Sequence, residues 1–326
     1  MFAAIHDTFG EPAEVITPRE IDRPEPAAGE VLIRMVLSPI HNHDLWTIRG
    51  NYGYKPELPG AIGGSEALGI VEALGEGADP ELLGQRVVAA GVHGTWAEYF
   101  TAPAAALLPL PDAIPDSAGA QLIAMPFSAI SLLETLKVTE GQWLIQTAAN
   151  GAVGKIMSGL AKARGIHLLN LVRRDAAADE LRTAGMTNVL STEDPDWTAK
   201  ARDLIGAAGA VSAIDSVGGE MAAKLVELLG IDGELVVFGT ATGAPLALSS
   251  GELIMKHVTV KGFWGSRVSK EMAPDTRRRL ITELVGLAVR GDLPLETGGD
   301  FALSQSPDAM KAALVPGRSG KIMLRP

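Results

Sequence analysis

The stretch His41–Glu66, HNHDLWTIRGNYGYKPELPGAIGGSE, gathers the side chains of this chain best suited to chemistry. His41, His43 and Glu66 are residue types a zinc site would use, and zinc so held acts as a Lewis acid on a bound oxygen. In an extended segment alternate residues project to one side, so His41 and His43 would share a face. A zinc site still needs three converging ligands, and the serine that precedes Glu66 in GGSE is not a usual one. Tyr52 and Tyr54, two of the three tyrosines, offer a different chemistry. A phenol with a pKa of about 10 is protonated at neutral pH and can donate a proton or hydrogen bond to an oxygen on which charge develops, with no metal needed. The two tyrosines also share a face if the segment is extended, so spacing does not separate them. His41 and His43 then hydrogen-bond within the loop or face a substrate cleft.

A second set of residues points to a dinucleotide. The turn AANGAVG, Ala148–Gly154, follows the apolar run QWLIQTA and precedes KIMSGLAKARG, which has a helical pattern. Small residues there let backbone N–H groups approach a pyrophosphate at the positive end of the helix. The turn departs from G-x-G-x-x-G, since Ala149 replaces the first glycine, but its strand–turn–helix context is the one the motif requires. At the end of the next strand, LVRRD places Arg173 and Arg174 where a 2′-phosphate would lie, and guanidinium forks suit phosphate. NADPH is therefore the expected cofactor. Asp175 would serve as an NAD-type acid only if that strand ran one residue further.

The elements that must position these groups fall into two kinds. GEVLIRMVLSPI, ALGIVEALG, GQRVVAAGV and WAEYFTAP are short β-like runs punctuated by glycine and proline, which suggest an antiparallel barrel-like domain. DSAGAQLIAMPFSAISLLETL then has helical periodicity, with Asp116 or Ser117 as cap. From Gly141 onward, apolar strands (QWLIQTA, IHLLNLV, AVSAID, GELVVFGT, VTVKGFW) alternate with helical segments, the pattern of a parallel sheet covered on both faces. The tail ends in GKIMLRP, a strand expected to rejoin the first domain. The expected fold is α/β, a β-rich domain over 1–117, a doubly wound nucleotide-binding domain over 118–263, and a return to the first domain over 264–326.

Composition narrows the function classes. With 28 basic and 39 acidic residues the formal charge is −11, which repels nucleic acid and anionic membrane. The chain has no cysteine, so disulfides, thiolate zinc sites, iron–sulfur clusters and cysteine nucleophiles are excluded. The uncharged runs Ser117–Leu133 and Leu235–Gly251 fall short of the roughly 20 apolar residues of a membrane span. The start, MFAAIHDTFGEP, has neither signal-peptide nor transit-peptide character. A cytoplasmic protein is the expectation.

The order of parts resembles the medium-chain dehydrogenase/reductase superfamily over nearly the whole chain. In its zinc alcohol dehydrogenases the metal is held by a cysteine, the histidine of a GHE element and a later cysteine; here His41 and Ser65 stand at the first two places. IRGNYGYKPELPGAIGGSEALGIV, GTWAEY, VVFGTA and LIMKHVTVKGFWGSRVSK resemble the zinc-free mitochondrial-type trans-2-enoyl-thioester reductases of that superfamily. The resemblance implies a GroES-like catalytic domain and a Rossmann domain. It also implies Tyr52 as the catalytic residue, Asn150, Gly151, Ala152, Val153 and Gly154 as the pyrophosphate turn, and Val172, Arg173 and Arg174 as the 2′-phosphate site. Phe238, Gly239, Thr240 and Ala241 match the segment beside the nicotinamide. Phe263, Trp264, Gly265 and Lys321 match further cofactor and pocket contacts.

Two departures lie near the implied cleft. His41 and His43 stand where the relatives' INPSD has asparagine and serine, and Met125 stands where asparagine is usual. His41, His43, Tyr54, Met125 and Trp264 are thus the expected pocket residues, with Phe263 and Trp264 as its apolar wall. The implied reaction is NADPH-dependent reduction of an α,β-unsaturated carbonyl compound, most simply a trans-2-enoyl thioester. Two alternatives are an NADPH:quinone reductase and an NADPH-binding protein without turnover; a zinc-type alcohol dehydrogenase stands behind them. Arg267, Lys270, Arg277, Arg278 and Arg279 form a basic segment that offers a dock for an acidic acyl carrier protein or for the phosphates of coenzyme A, or else a solvated helix face. A homodimer is expected by resemblance, through an edge strand such as VTVKGF.

Overall fold

The computed structural model describes residues 1–136 and 138–326. They form two compact units, Met1–Ala124 with Leu284–Pro326, and Met125–Glu283. No helix among the described residues is long and apolar enough to cross a membrane.

The first unit is built around the strand Glu30–Pro39. It pairs antiparallel with Glu66–Leu74, Tyr99–Pro103 and the last strand, Lys321–Arg325. Seven of its ten residues are buried, with Arg34 the exposed exception, so the run EVLIRMVLSP does not show a strict in–out alternation. The C-terminal strand joins this sheet through Met323 opposite Pro39 and Leu324 opposite Ser38. The core centres on Trp96, fully buried, whose indole N–H donates to the Pro39 carbonyl at 3.3 Å. Burying a side chain of this size stabilises the unit by roughly 2–3 kcal/mol. Gly63 and Gly64 lie against that ring. A Cβ on Gly63 would stand 2.2 Å from Trp96 Cε3, and Gly64 has φ of +90°, so GG is what lets the chain pass the indole and enter the strand that begins at Glu66.

The second unit holds a parallel sheet. Among the described residues its strand order is Val189–Ser191, His167–Val172, Trp143–Gln146, Ala210–Asp215, Leu229–Val237 and Thr259–Gly262. The chain order reverses between His167–Val172 and Ala210–Asp215, on either side of the first strand, so the turn after Trp143–Gln146 stands at the topological switch point. This is the expected α/β architecture. Sequence patterning missed the short strand Val189–Ser191 and the helix Trp197–Ile205, both small elements between stronger signals.

One expected helix is divided. DSAGAQLIAMPFSAISLLETL forms Asp116–Gly119 and then Ala124–Leu136, and Pro115, not Asp116 or Ser117, is the first N-cap. The break has a physical cause. The amides of Ile123 and Ala124 donate to Glu66 Oε1 at 2.7 and 3.0 Å, so a side-chain carboxyl group from a distant strand caps the second helix.

Candidate active site

The segment that follows Ile40 is not extended. His41 is the N-cap of a short helix, Asn42–Ile48, and its backbone N–H donates to Asp44 Oδ2 at 2.8 Å. The His41 and His43 rings still stack, with centroids 5.1 Å apart and planes 18° apart. Their nitrogens turn to different partners. His41 Nε2 lies 2.7 Å from Glu66 Oε2, and His43 Nε2 lies 2.7 Å from Ser65 Oγ. His41, His43 and Glu66 therefore do not converge on a common point. Among the described residues no group of three or more His, Cys, Asp or Glu side chains is arranged to hold a metal ion.

Around this helix the polar side chains form a connected set. Ser65 Oγ donates to Asp44 Oδ1 at 2.6 Å, and the Tyr52 ring stacks on His43 with centroids 5.7 Å apart. Tyr54 takes another partner, the His93 ring, at 3.6 Å and nearly parallel. Neither tyrosine stands in a strand, so the shared face expected of them is replaced by two separate ring stacks. His43, Asp44, Ser65, Tyr52, Tyr54 and His93 all line one small cavity of about 50 Å³.

Burial sets the charge states deeper in. His41 and Glu66 have no exposed surface. Desolvation pushes the His41 imidazole well below its ordinary range, with Lys321 acting in the same direction against the pull of Asp44. Desolvation pushes the Glu66 carboxyl up to about 7, against the Ala124 and Ile123 N–H groups and nearby positive charge. His41 Nε2 and Glu66 Oε2 thus face each other in a hydrogen bond closed off from solvent, and His41 Nδ1 is buried without a partner. Lys321, at the start of the last strand, is 7% exposed, and burial together with Arg318 lowers it to about 8.

In the second unit the glycine turn opens the helix Ala152–Ala163, with Gly151 as N-cap. Asn150, Gly151 and Ala152 are exposed, and the first amides of the helix have no intrahelical acceptor. Gly154 is required by packing, since a Cβ there would meet Ala149 Cα at 2.7 Å. The helix is tied to the sheet by Gln146 Nε2, which donates to the Gly154 carbonyl at 2.8 Å and to Asn170 Oδ1 at 2.7 Å. The next strand ends at Val172, and Asp175 opens the helix Asp175–Thr183 with its N–H bound by Glu193. Arg173 and Arg174 are exposed at the strand end, and neither is paired with a carboxylate among the described residues. An exposed helix N-terminus followed by two unpaired guanidinium groups fits a dinucleotide with a 2′-phosphate.

Other expected residues fall as follows. Phe238 and Phe263 pack as a tilted pair with centroids 5.9 Å apart, and Gly239 passes close to Ser216. Thr240 and Ala241 lie on the exposed segment after that strand. Trp264, 66% exposed, is the N-cap of Gly265–Glu271. Met125 is half-buried in the first turn of Ala124–Leu136. Within the basic segment Arg267 pairs with Glu271, Arg278 with Asp275 and Arg279 with Glu134, while Arg277 turns to Ser269 and the Phe127 ring. Sequence reading missed Asp44, Ser65 as a hydrogen-bonding residue, and His93. Asp44 carried a usable signal, an acid three residues after the position that caps the helix.

Comparison with known proteins gives a consistent result. Residues 27–112 match the alcohol dehydrogenase GroES-like domain family, and residues 152–282 match the zinc-binding dehydrogenase family. The mitochondrial enoyl-[acyl-carrier-protein] reductase of Mus musculus is 30% identical over 331 residues, covering 99% of this chain and 88% of that protein. The human enzyme of the same name is 29% identical with the same coverage. Among solved structures, a proposed NADPH:quinone reductase of Bacillus thuringiensis superposes with a TM-score of 0.90 at 26% identity, covering 100% of this chain and 98% of that one. A mycobacterial protein solved in complex with NADPH gives 0.84 at 25% identity, with full coverage of both chains. These findings overturn the expectation of a cytoplasmic protein, because the matching reductases, from Homo sapiens to Xenopus tropicalis, are named as mitochondrial.

Proposed function

The chain belongs to the zinc-independent, quinone-reductase-like branch of the medium-chain dehydrogenase/reductase superfamily, related to the enoyl-acyl-carrier-protein reductases, and from that premise we propose that it reduces trans-2-enoyl thioesters. It is an NADPH-dependent oxidoreductase. The pyrophosphate would be held by Asn150–Gly154 and the 2′-phosphate by Arg173 and Arg174. NADPH, when bound, supplies the hydride that adds to the β-carbon of the unsaturated carbonyl compound.

The observation that carries the reading is the state of the groups around Tyr52. Glu66 is engaged by His41 and two backbone amides, and Asp44 by Ser65 and the His41 amide. The Tyr52 hydroxyl is half-buried and has no hydrogen-bond partner among the described residues. It is thus a proton-bearing group free to turn to a substrate oxygen. Its role is to donate to the carbonyl oxygen as negative charge develops there and then to supply the proton for the α-carbon. Tyr54 is more exposed and stacked on His93, which favours Tyr52 of the two. Because three of the five cations in the basic segment already face carboxylates, the proposal concerns the thioester and leaves out a carrier-protein dock.

The test is NADPH oxidation by the purified protein with a medium-chain trans-2-enoyl-CoA, a quinone and an aldehyde, for wild type and Tyr52→Phe. The expected result is turnover of the thioester that falls by about 10²-fold in the variant. Quinone reduction alone, indifferent to Tyr52→Phe, would replace this reading with that of a quinone reductase.

A further inference from the structure

We propose that His43, held by Ser65 and Asp44, is a positioning residue that orients Tyr52 and returns to it the proton it gives up. The inference rests on the reading of Tyr52 as proton donor. Its starting point is the hydrogen-bond direction. Ser65 Oγ and Asp44 Oδ1 are 2.6 Å apart, and an ionised carboxylate only accepts, so the serine proton belongs to Asp44. Ser65 then has no proton for His43, and at 2.7 Å the His43 Nε2–H must be the donor. The second Asp44 oxygen is fixed by the His41 amide at 2.8 Å, so the chain His43–Ser65–Asp44 has one direction only.

That direction leaves His43 Nδ1 as the nitrogen with a free lone pair. The ring is partly exposed and stacks on Tyr52, and both line the 50 Å³ cavity. A water molecule needs roughly 15 Å³, so the cavity can admit one beside these rings. Asp44 Oδ1 stands 3.5 Å from His43 Nε2, and His41, Glu66 and His93 are the other titratable groups that interact with the ring. A flat ring that only packed against Tyr52 would not require a buried carboxylate behind it.

In the return step the Nδ1 lone pair first takes a proton from water in the cavity, whose O–H bond breaks and whose hydroxide leaves to solvent. The new Nδ1–H bond then breaks, its electron pair staying on the nitrogen, as the phenolate oxygen gives a lone pair to the re-formed O–H bond of the Tyr52 phenol. Nothing is oxidised or reduced. His43 is the side-chain type that exchanges protons near neutral pH, which a serine or asparagine in that place would not do.

The experiment measures kcat and KM for NADPH-dependent reduction of a trans-2-enoyl-CoA across the neutral pH range. Wild type, His43→Gln, Ser65→Ala and Tyr52→Phe are compared with and without added imidazole. The expected result for His43→Gln is a kcat about tenfold lower with a flattened pH profile, a KM within about twofold, and several-fold recovery with imidazole. Tyr52→Phe shows no recovery. A kcat unchanged in His43→Gln, or a loss with the wild-type profile and no rescue, overturns the proposal. A second arm needs no substrate: nitrogen-resolved NMR of the full chain should find His43 as the Nε2–H tautomer, with that preference lost in Ser65→Ala. A wild-type Nδ1–H tautomer overturns the relay whatever the protein turns over. If the thioester is not consumed at all, the proposed function fails and the tautomer alone decides the relay.

Discussion

Replacing Glu66 by glutamine tests whether the buried carboxyl behind His41 is held in its neutral form. In the fold its pKa is raised from 4.5 to about 7, chiefly by burial. A carboxyl whose folded pKa lies above its unfolded value stabilises the fold while both states are protonated, and that contribution is lost as pH rises through the folded value. At 1.36 kcal/mol for each pH unit, the loss accumulates to about 3 kcal/mol between pH 4.5 and about 7. His41 acts oppositely over part of this window. Its pKa is depressed, so its contribution is present above 6.5 and fades as pH falls, and the wild-type curve alone therefore does not isolate the carboxyl. The difference between variant and wild type isolates the carboxyl. The glutamine side chain accepts the same two amides, and its NH₂ can donate to His41 Nε2. Its advantage over Glu66 should grow from about pH 4.5, reach about 3 kcal/mol near pH 7, and stay level above that. Thermal midpoints at a series of pH values read this out. At roughly 3 °C per kcal/mol for a unit of this size, the relative gain is about 9 °C. A difference that does not change with pH, or one that turns against glutamine as pH rises, would show that Glu66 is ionised and satisfied by its three donors, and would refute the reasoning.

Lys321→Met tests the other buried charge in the same unit. Because the Lys321 pKa is lowered to about 8, its contribution is present above 10.5 and lost as pH falls through 8, so methionine should gain about 3 kcal/mol below pH 8 and nothing near 10.5. Denaturation midpoints at pH 7 and pH 10.5 would check this. Arg173→Ala and Arg174→Ala should each raise the KM for NADPH about tenfold or more, since a charge-assisted hydrogen bond is worth about 1.5–3 kcal/mol, and leave the KM for NADH within about twofold. Equal losses with both cofactors would mean that the pair serves the strand end rather than the 2′-phosphate.

The nucleotide-binding half was legible in the sequence because its signals are local. Apolar runs such as IHLLNLV and AVSAID, separated by helical segments, can only pack as a covered parallel sheet, and the turn Ala148–Gly154 needs small residues for its own backbone. Arg173 and Arg174 follow from where one strand stops, which the pattern placed within a residue. The opening stretch was legible only as an inventory. His41, His43, Glu66, Tyr52 and Tyr54 were all visible, but their partners depend on contacts between residues 21 to 58 positions apart. No periodicity tells that His41 caps a helix instead of continuing a strand, or that Glu66 reaches the amides of Ile123 and Ala124. Nor does it tell that a buried Asp44 turns Ser65 and His43 into a directed chain. The sequence by itself determined which groups were present and the fold that carries them. Tertiary structure decided which were desolvated and which were paired, because burial and hydrogen-bond direction exist only once distant segments have come together.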